Sequence, residues 1–232
     1  MRSYGVEVVV FAIALTLFGL VALALVWSGD WAYAALANAT GSTHATLIPG
    51  ERRDVCGQEV SVDLARLLEL HRGWSTYVTG LSTFAPGPAC SLWTPAEYAH
   101  MADVRNVFRG AELVAVLALG IVGFRTQRAI RDGRALRLVR DGALVAAGIV
   151  VGVGAAAVLA FDQLFLLFHE LLFPRGNFLF PPESNLLRLY PEWYWQGITA
   201  GVGVSFIVVA LLAAWLAHVA LHRRSTTYTR AA

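Results

Sequence analysis

The sequence predicts an all-α membrane protein: four transmembrane helices, N- and C-termini cytoplasmic, and a mostly helical extracytoplasmic region between spans one and two. Three observations carry this. Of 232 residues, 57% are hydrophobic and only 15% charged, against about 25% charged in a soluble domain, and the mean hydropathy is +0.58. Four apolar runs punctuate the chain at lengths near the roughly 20 residues that cross a bilayer as a helix. The basic residues, all 18 of them Arg, are unevenly spread: ten fall within 1–5, 125–141 and 219–232. The other eight are diluted over two polar regions about three times longer, and cytoplasmic loops collect Arg. The net charge of +2 leaves no footprint for nucleic acid, and the lack of lysine removes lysine-based chemistry.

Taken in order, the first span covers about 6–27. It is apolar except for Glu7 and Thr16, and closes on Trp27. Its length exceeds the roughly 7–15 residues of a signal-peptide core, so it reads as a retained span, and no lipobox cysteine follows it. The region 28–103 is polar and expected outside the cell. Asn38, Gly41, Ser42 and Pro49 mark its beginning as loop. Leu64, Leu67, Leu68 and His71 then recur at helical spacing, an amphipathic helix expected to break at Gly73 and resume through Trp74 and Tyr77 to Gly80. Pro86, Gly87 and Pro88 mark a second loop. Cys56 and Cys90 both lie in this region. An even cysteine count outside the membrane fits a disulfide in an oxidising compartment; two free thiols are the alternative.

Thr94 and Glu97 form a T-x-x-E capping box with Pro95 at the first helical position. The helix they open leads into the second span, about 104–124. Residues 125–141 follow, with Arg125, Arg128, Arg131, Arg134, Arg137 and Arg140. That stretch reads as a solvated cytoplasmic loop beside anionic lipid rather than a nucleic-acid patch. The third span is expected over about 142–173, with a G-x-x-x-G at Gly148 and Gly152 that would let helices approach closely. A polar and aromatic region, 174–195, ends in the belt Tyr190, Trp193, Tyr194 and Trp195. The fourth span covers about 196–218, before a basic tail. No internal repeat supports an inverted-repeat transporter.

Two ionisable clusters stand in this apolar background. His100 and Asp103 share a helix face at i, i+3, and His169 lies seven residues after Asp162. Ionisable groups inside spans are functional candidates by default. Counted from the cytoplasmic ends at Arg125 and Asp141, His100 is 25 residues away and His169 is 28. At 1.5 Å per residue these are about 38 and 42 Å, so both imidazoles are expected at one depth near the outer boundary. The plainer readings are interfacial: Asp103 paired with Arg105 or Arg109, and His169 as an anchor. Glu170 reads as a rim residue. His71 reads as a packed or membrane-facing residue, and His44, His218 and His222 as loop residues or anchors.

Three segments, HMADVRNVF (100–108), FDQLFLLFHELLFP (161–174) and NLLRLYPEWYW (185–195), resemble in order and spacing the motifs of a family of four-span bacterial membrane proteins, the lipoprotein intramolecular transacylases. The run FPPESN (180–185) departs from that family's pattern, as does Phe178, where a Trp is expected. The resemblance implies a multi-pass protein of the bacterial plasma membrane without a cofactor. It also implies transfer of the sn-2 acyl chain of a diacylglyceryl-modified lipoprotein cysteine to that cysteine's α-amine, giving the lyso-form. His100 and His169 match the catalytic pair, with Asp103 and Asp162 in support and Tyr190, Asn185 and Arg105 as expected substrate contacts. The expected partners are the lipoprotein substrate and membrane lipid. Two other readings stay open on the residues alone. One is a metal-dependent membrane hydrolase built on His100, Asp103, His169 and Glu170. The other is a non-enzymatic lipid- or protein-binding membrane protein.

Overall fold

The computed structural model describes residues 4–48, 60–85 and 92–230, and only the backbone for 224–230. The elements in order are α1 (Tyr4–Trp27), α2 (Asp30–Thr40), β1 (His44–Leu47), β2 (Val60–Asp63), α3 (Leu64–Val78), α4 (Pro95–Arg131), α5 (Ala135–Leu159), α6 (Phe161–Leu172), α7 (Asn185–Leu189) and α8 (Glu192–Arg230). Four of them, α1, α4, α5 and α8, are long and apolar enough to cross a membrane. The chain divides into two units, Met1–Leu23 with Glu112–Leu159 and Ala200–Ala232, and Ala24–Ala111 with Ala160–Thr199.

The first unit is built on small side chains. Ala12 of α1, Ala143, Ala146, Ala147 and Val150 of α5, and Phe206, Ala210 and Ala214 of α8 form its largest core. In lipid, association rests on close van der Waals contact, which small residues permit. Outward positions stay apolar and exposed, among them Leu117, Val153 and Leu211. Gly148 and Gly152 do not serve as the sequence led us to expect. A side chain built at either would meet nothing within 4 Å, whereas one at Gly142 would collide with Phe11. The close approach therefore belongs to Gly142 and the alanine face. Two polar side chains of α1 find partners: Thr16 Oγ1 donates to the Ala12 carbonyl at 2.9 Å, and Oε2 of Glu7 pairs with Arg134, while Glu7 Oε1 is buried without one.

Residues 125–141 are not a loop. Helix α4 runs to Arg131 and α5 starts at Ala135, joined by a tight turn in which Gly133 takes φ +68° and Arg134 N–H donates to the Ala129 carbonyl at 2.9 Å. Such left-handed closure is the usual way to satisfy the last carbonyls of a helix. The third expected span also differs. It ends at Leu159, and Ala160, at φ −149° and ψ 49°, separates it from the independent helix α6.

The second unit has an aromatic core. Tyr33, Trp74, Trp93, Tyr190 and Tyr194 are buried together with Leu47, Leu67 and Leu189. Residues 30–40, expected as loop, form α2, closed by Gly41 at φ 70°. Gly73 does not interrupt α3 either, since burial of Leu67, Leu70, His71, Trp74 and Val78 along one face outweighs the roughly 1 kcal/mol a helical glycine costs. β1 and β2 pair antiparallel, His44 opposite Asp63 and Leu47 opposite Val60. Asp63 then caps α3 by accepting from Arg66 N–H at 3.0 Å. Cys56 and Cys90 lie outside the described residues.

Candidate active site

The second unit holds both histidine clusters, and it starts from the capping box. Glu97 is fully buried. Its Oε2 accepts from Thr94 N–H at 2.7 Å, and Thr94 Oγ1 accepts from Glu97 N–H at 3.2 Å. The other oxygen, Oε1, reaches a distant segment, accepting from Ser184 Oγ at 2.5 Å and Leu186 N–H at 3.1 Å. One carboxylate thus ends two helices, starting α4 and tying α7 to it. The capping spacing was legible in the sequence; the second pair of bonds was not.

One turn further along α4, His100 is buried. Its ring lies 6.5 Å from that of His169 on α6, with an angle of 20° between planes. The two imidazoles are thus neighbours with their planes close to parallel. Phe173 packs on both, at 4.9 Å from His100 and 5.5 Å from His169. Phe180 lies 5.3 Å from His100, and Phe165 and Phe178 lie 4.2 and 5.4 Å from His169.

His169 Nδ1 is 2.8 Å from the carbonyl of Phe165, one turn back. A carbonyl only accepts, so Nδ1 carries the proton and Nε2 keeps its lone pair. Burial lowers the His169 pKa below the ordinary 6.5, with the Phe165 carbonyl acting in the opposite sense. His100 Nδ1, in contrast, is buried without a hydrogen-bond partner.

The expected supporting residues fare differently. Asp103 accepts at Oδ2 from Asn177 Nδ2 at 2.7 Å. Asp162, expected in support, is exposed in the first turn of α6, and the bond that orients His169 is to the Phe165 carbonyl. Glu170 is exposed. Among the expected substrate contacts, Asn185 is buried and holds Ile48 and Leu92: its Nδ2 donates to both carbonyls at 2.5 Å and its Oδ1 accepts from Ile48 N–H at 2.9 Å. Tyr190 is buried with its hydroxyl 3.2 Å from His71 Nδ1. Arg105 donates to the carbonyls of Tyr77 and Ser82 at 3.0 and 2.8 Å and lies over the Tyr77 ring. Each of these three side chains thus engages partners within the protein.

His71, read as packed or membrane-facing, is packed. Its Nε2 lies 3.1 Å from the Ser28 carbonyl, so Nε2 donates there and Nδ1 accepts from Tyr190. Burial lowers the pKa of His71 and raises that of Tyr33 and Tyr190, keeping the cluster neutral. Among the described residues no three His, Cys, Asp or Glu side chains gather as a metal would require.

A polytopic membrane protein with two neighbouring imidazoles among phenylalanine rings is the class that fold and site define. Residues 88–195 match the family described as "Lipoprotein intramolecular transacylase Lit". The fold matches that of the membrane integral lipoprotein intramolecular transacylase Lit from Bacillus cereus, with a TM-score of 0.68, 19% identity, and coverage of 97% of this chain and 95% of that one. Two further structures of the Bacillus cereus protein, in which a histidine is replaced by arginine or by alanine, match with TM-scores of 0.68 at 18% identity; they cover 95% and 94% of this chain, and 92% and 93% of theirs. No curated protein matches the chain by sequence. The likeness to that family thus holds in sequence over residues 88–195 and in fold over nearly the full chain, and the protein is a multi-pass membrane protein with four helices long and apolar enough to cross a bilayer.

Proposed function

We propose that this protein moves the sn-2 acyl chain of a diacylglyceryl-modified lipoprotein cysteine onto that cysteine's own α-amine, with His100 and His169 as the acid–base pair. The observation that carries this is the pair of imidazoles 6.5 Å apart, one with a preset basic Nε2 and the other with an unpartnered Nδ1.

The chemistry needs those two groups and little else. Amine and ester belong to one molecule, so no acyl-enzyme is required, and much of the rate comes from holding them together. An α-ammonium has a pKa near 8 and imidazole one near 6.5. The ammonium first releases one proton. Its nitrogen then attacks the ester carbonyl carbon, forming the C–N bond, and His169 Nε2 accepts a second proton. As the C–O bond to glycerol breaks, the departing oxygen takes a proton from His100 and the proton held by His169 replaces it, so both rings end as they began. The products are an amide and a glycerol hydroxyl, with one proton released overall. The phenylalanines exclude water, which favours transfer over hydrolysis. Asp103 supports the loop beside the pair, and Asn185, Tyr190 and Arg105 hold the surrounding elements.

The test is expression in a host that accumulates diacylglyceryl lipoproteins with free amines, read by mass spectrometry of a reporter lipoprotein. The expected product carries the acyl chain on its N-terminus, and His100→Ala or His169→Ala lowers its rate by about 10²–10⁴-fold. Unchanged lipopeptide beside well-expressed protein would overturn the reading. Loss of activity in excess chelator would favour the metal-dependent hydrolase, and full function in both alanine variants a non-enzymatic role.

A further inference from the structure

Asn177 had no signal in the sequence. It sits in the loop between α6 and α7, whose course is set by successive turns: Gly176, at φ +70°, donates N–H to the Phe173 carbonyl at 2.9 Å, and Leu179 N–H reaches the Gly176 carbonyl at 3.4 Å. Of the residues around it, Phe173 packs on both imidazoles, Phe178 on His169 and Phe180 on His100. Asn177 Nδ2 donates to Asp103 Oδ2 at 2.7 Å. That bond decides the orientation of the amide, because a carboxylate can only accept. The other end, Oδ1, is buried with no hydrogen-bond partner. Buried polar atoms are nearly always paired, and an unpaired one calls for a reason. The orphan here is an acceptor, so what it lacks is an N–H or O–H donor.

We infer that Asn177 Oδ1 receives the α-ammonium of the lipidated N-terminal cysteine, and that Asp103 is the positioning residue that aims it. This rests on the acyl-transfer reading above. Of the reacting groups, the ester carbonyl brings acceptors only, whereas the ammonium brings three donors. The phenylalanine faces suit a cation as well. An amide oxygen suits this task better than a carboxylate would. It binds the ammonium without a full ion pair, so the proton can still leave before nitrogen attacks. The negative charge of Asp103 is felt one bond away, through the amide.

The experiment uses the full-length protein in lipid or detergent and two ether-linked lipopeptides that cannot transfer an acyl chain. One has a free N-terminal amine and the other is N-acetylated; each is measured as an inhibitor of the wild-type reaction and as a ligand of the variants. The wild type binds the free-amine form about 10–100-fold more tightly, as for a hydrogen bond to a charged group. Asn177→Leu abolishes that preference, and so does Asp103→Leu, while Asp103→Asn, which retains an acceptor for Nδ2, restores most of it. A merely structural role would weaken both lipopeptides equally. An unchanged preference in Asn177→Leu overturns the inference, and if that variant does not fold, an unchanged preference in Asp103→Leu does so. Failure of the wild type to transfer acyl chains at all strikes the acyl-transfer reading instead, whatever Asn177 does.

Discussion

His169 owes its character to a single backbone contact. The Phe165 carbonyl holds the Nδ1 proton and leaves Nε2 free, while burial favours the neutral ring. Only the neutral form can take a proton, so activity falls as pH drops through the His169 pKa. Because that pKa is lowered from 6.5, the acid limb of kcat/KM should lie below 6.5, and an acid limb at or above that value in a pH–rate profile would count against His169 as base. His71 shows the same lowering serving structure. Its neutral ring accepts from Tyr190, which the charged ring cannot do. The unfolded chain protonates it first, so this contribution to stability is present above about 6.5 and lost as pH falls through the lower folded value. His71→Gln should flatten the decline of thermal stability between neutral and acidic pH. His100 and His169 were legible as candidates because ionisable groups stand out in apolar sequence. Asn177 was not, since its partner Asp103 is 74 positions away and a lone asparagine in a Pro-Gly loop carries no local signal.

Helix ends and helix faces show where local rules hold. The Thr94–Glu97 box formed as its spacing required, since both partners lie within one turn. Its second duty, holding Ser184 and Leu186, makes Glu97 more than a cap. Glu97→Ala leaves several buried donors unsatisfied, each worth about 1–3 kcal/mol. A loss of about 3 kcal/mol or more is expected in thermal unfolding, against about 1 kcal/mol for a cap alone. The glycines of α5 make the complementary case. Gly142→Leu must displace Phe11 and should destabilise by about 1–3 kcal/mol. Gly148→Leu, facing open space, should leave the melting temperature nearly unchanged. Equal effects at the two positions would contradict the packing described. The break at Ala160 belongs here too: nothing in the apolar run 142–173 announces it, because hydropathy does not distinguish one long helix from two in succession.

For the chain as a whole, hydropathy and arginine distribution make one prediction that the fold leaves open. The excess of Arg near 1–5, 125–141 and 219–232 predicts a cytoplasmic position for those segments. Reporters fused at either terminus should be active only on the cytoplasmic side, and one inserted after Ser42 only outside; the reverse pattern would refute the orientation. The sequence by itself determined the four apolar helices, the capped start of α4 and the two histidines, because each is written in composition or in spacing within a few turns. Tertiary structure decided the rest. It gave Asn185 and Tyr190 partners within the protein, exposed Asp162, moved the close helix contact from Gly148 to Gly142, and brought Asn177 to Asp103. Those outcomes depend on partners as far as 137 residues apart, whose meeting is settled by packing and hydrogen-bond satisfaction across the fold, which no local pattern encodes.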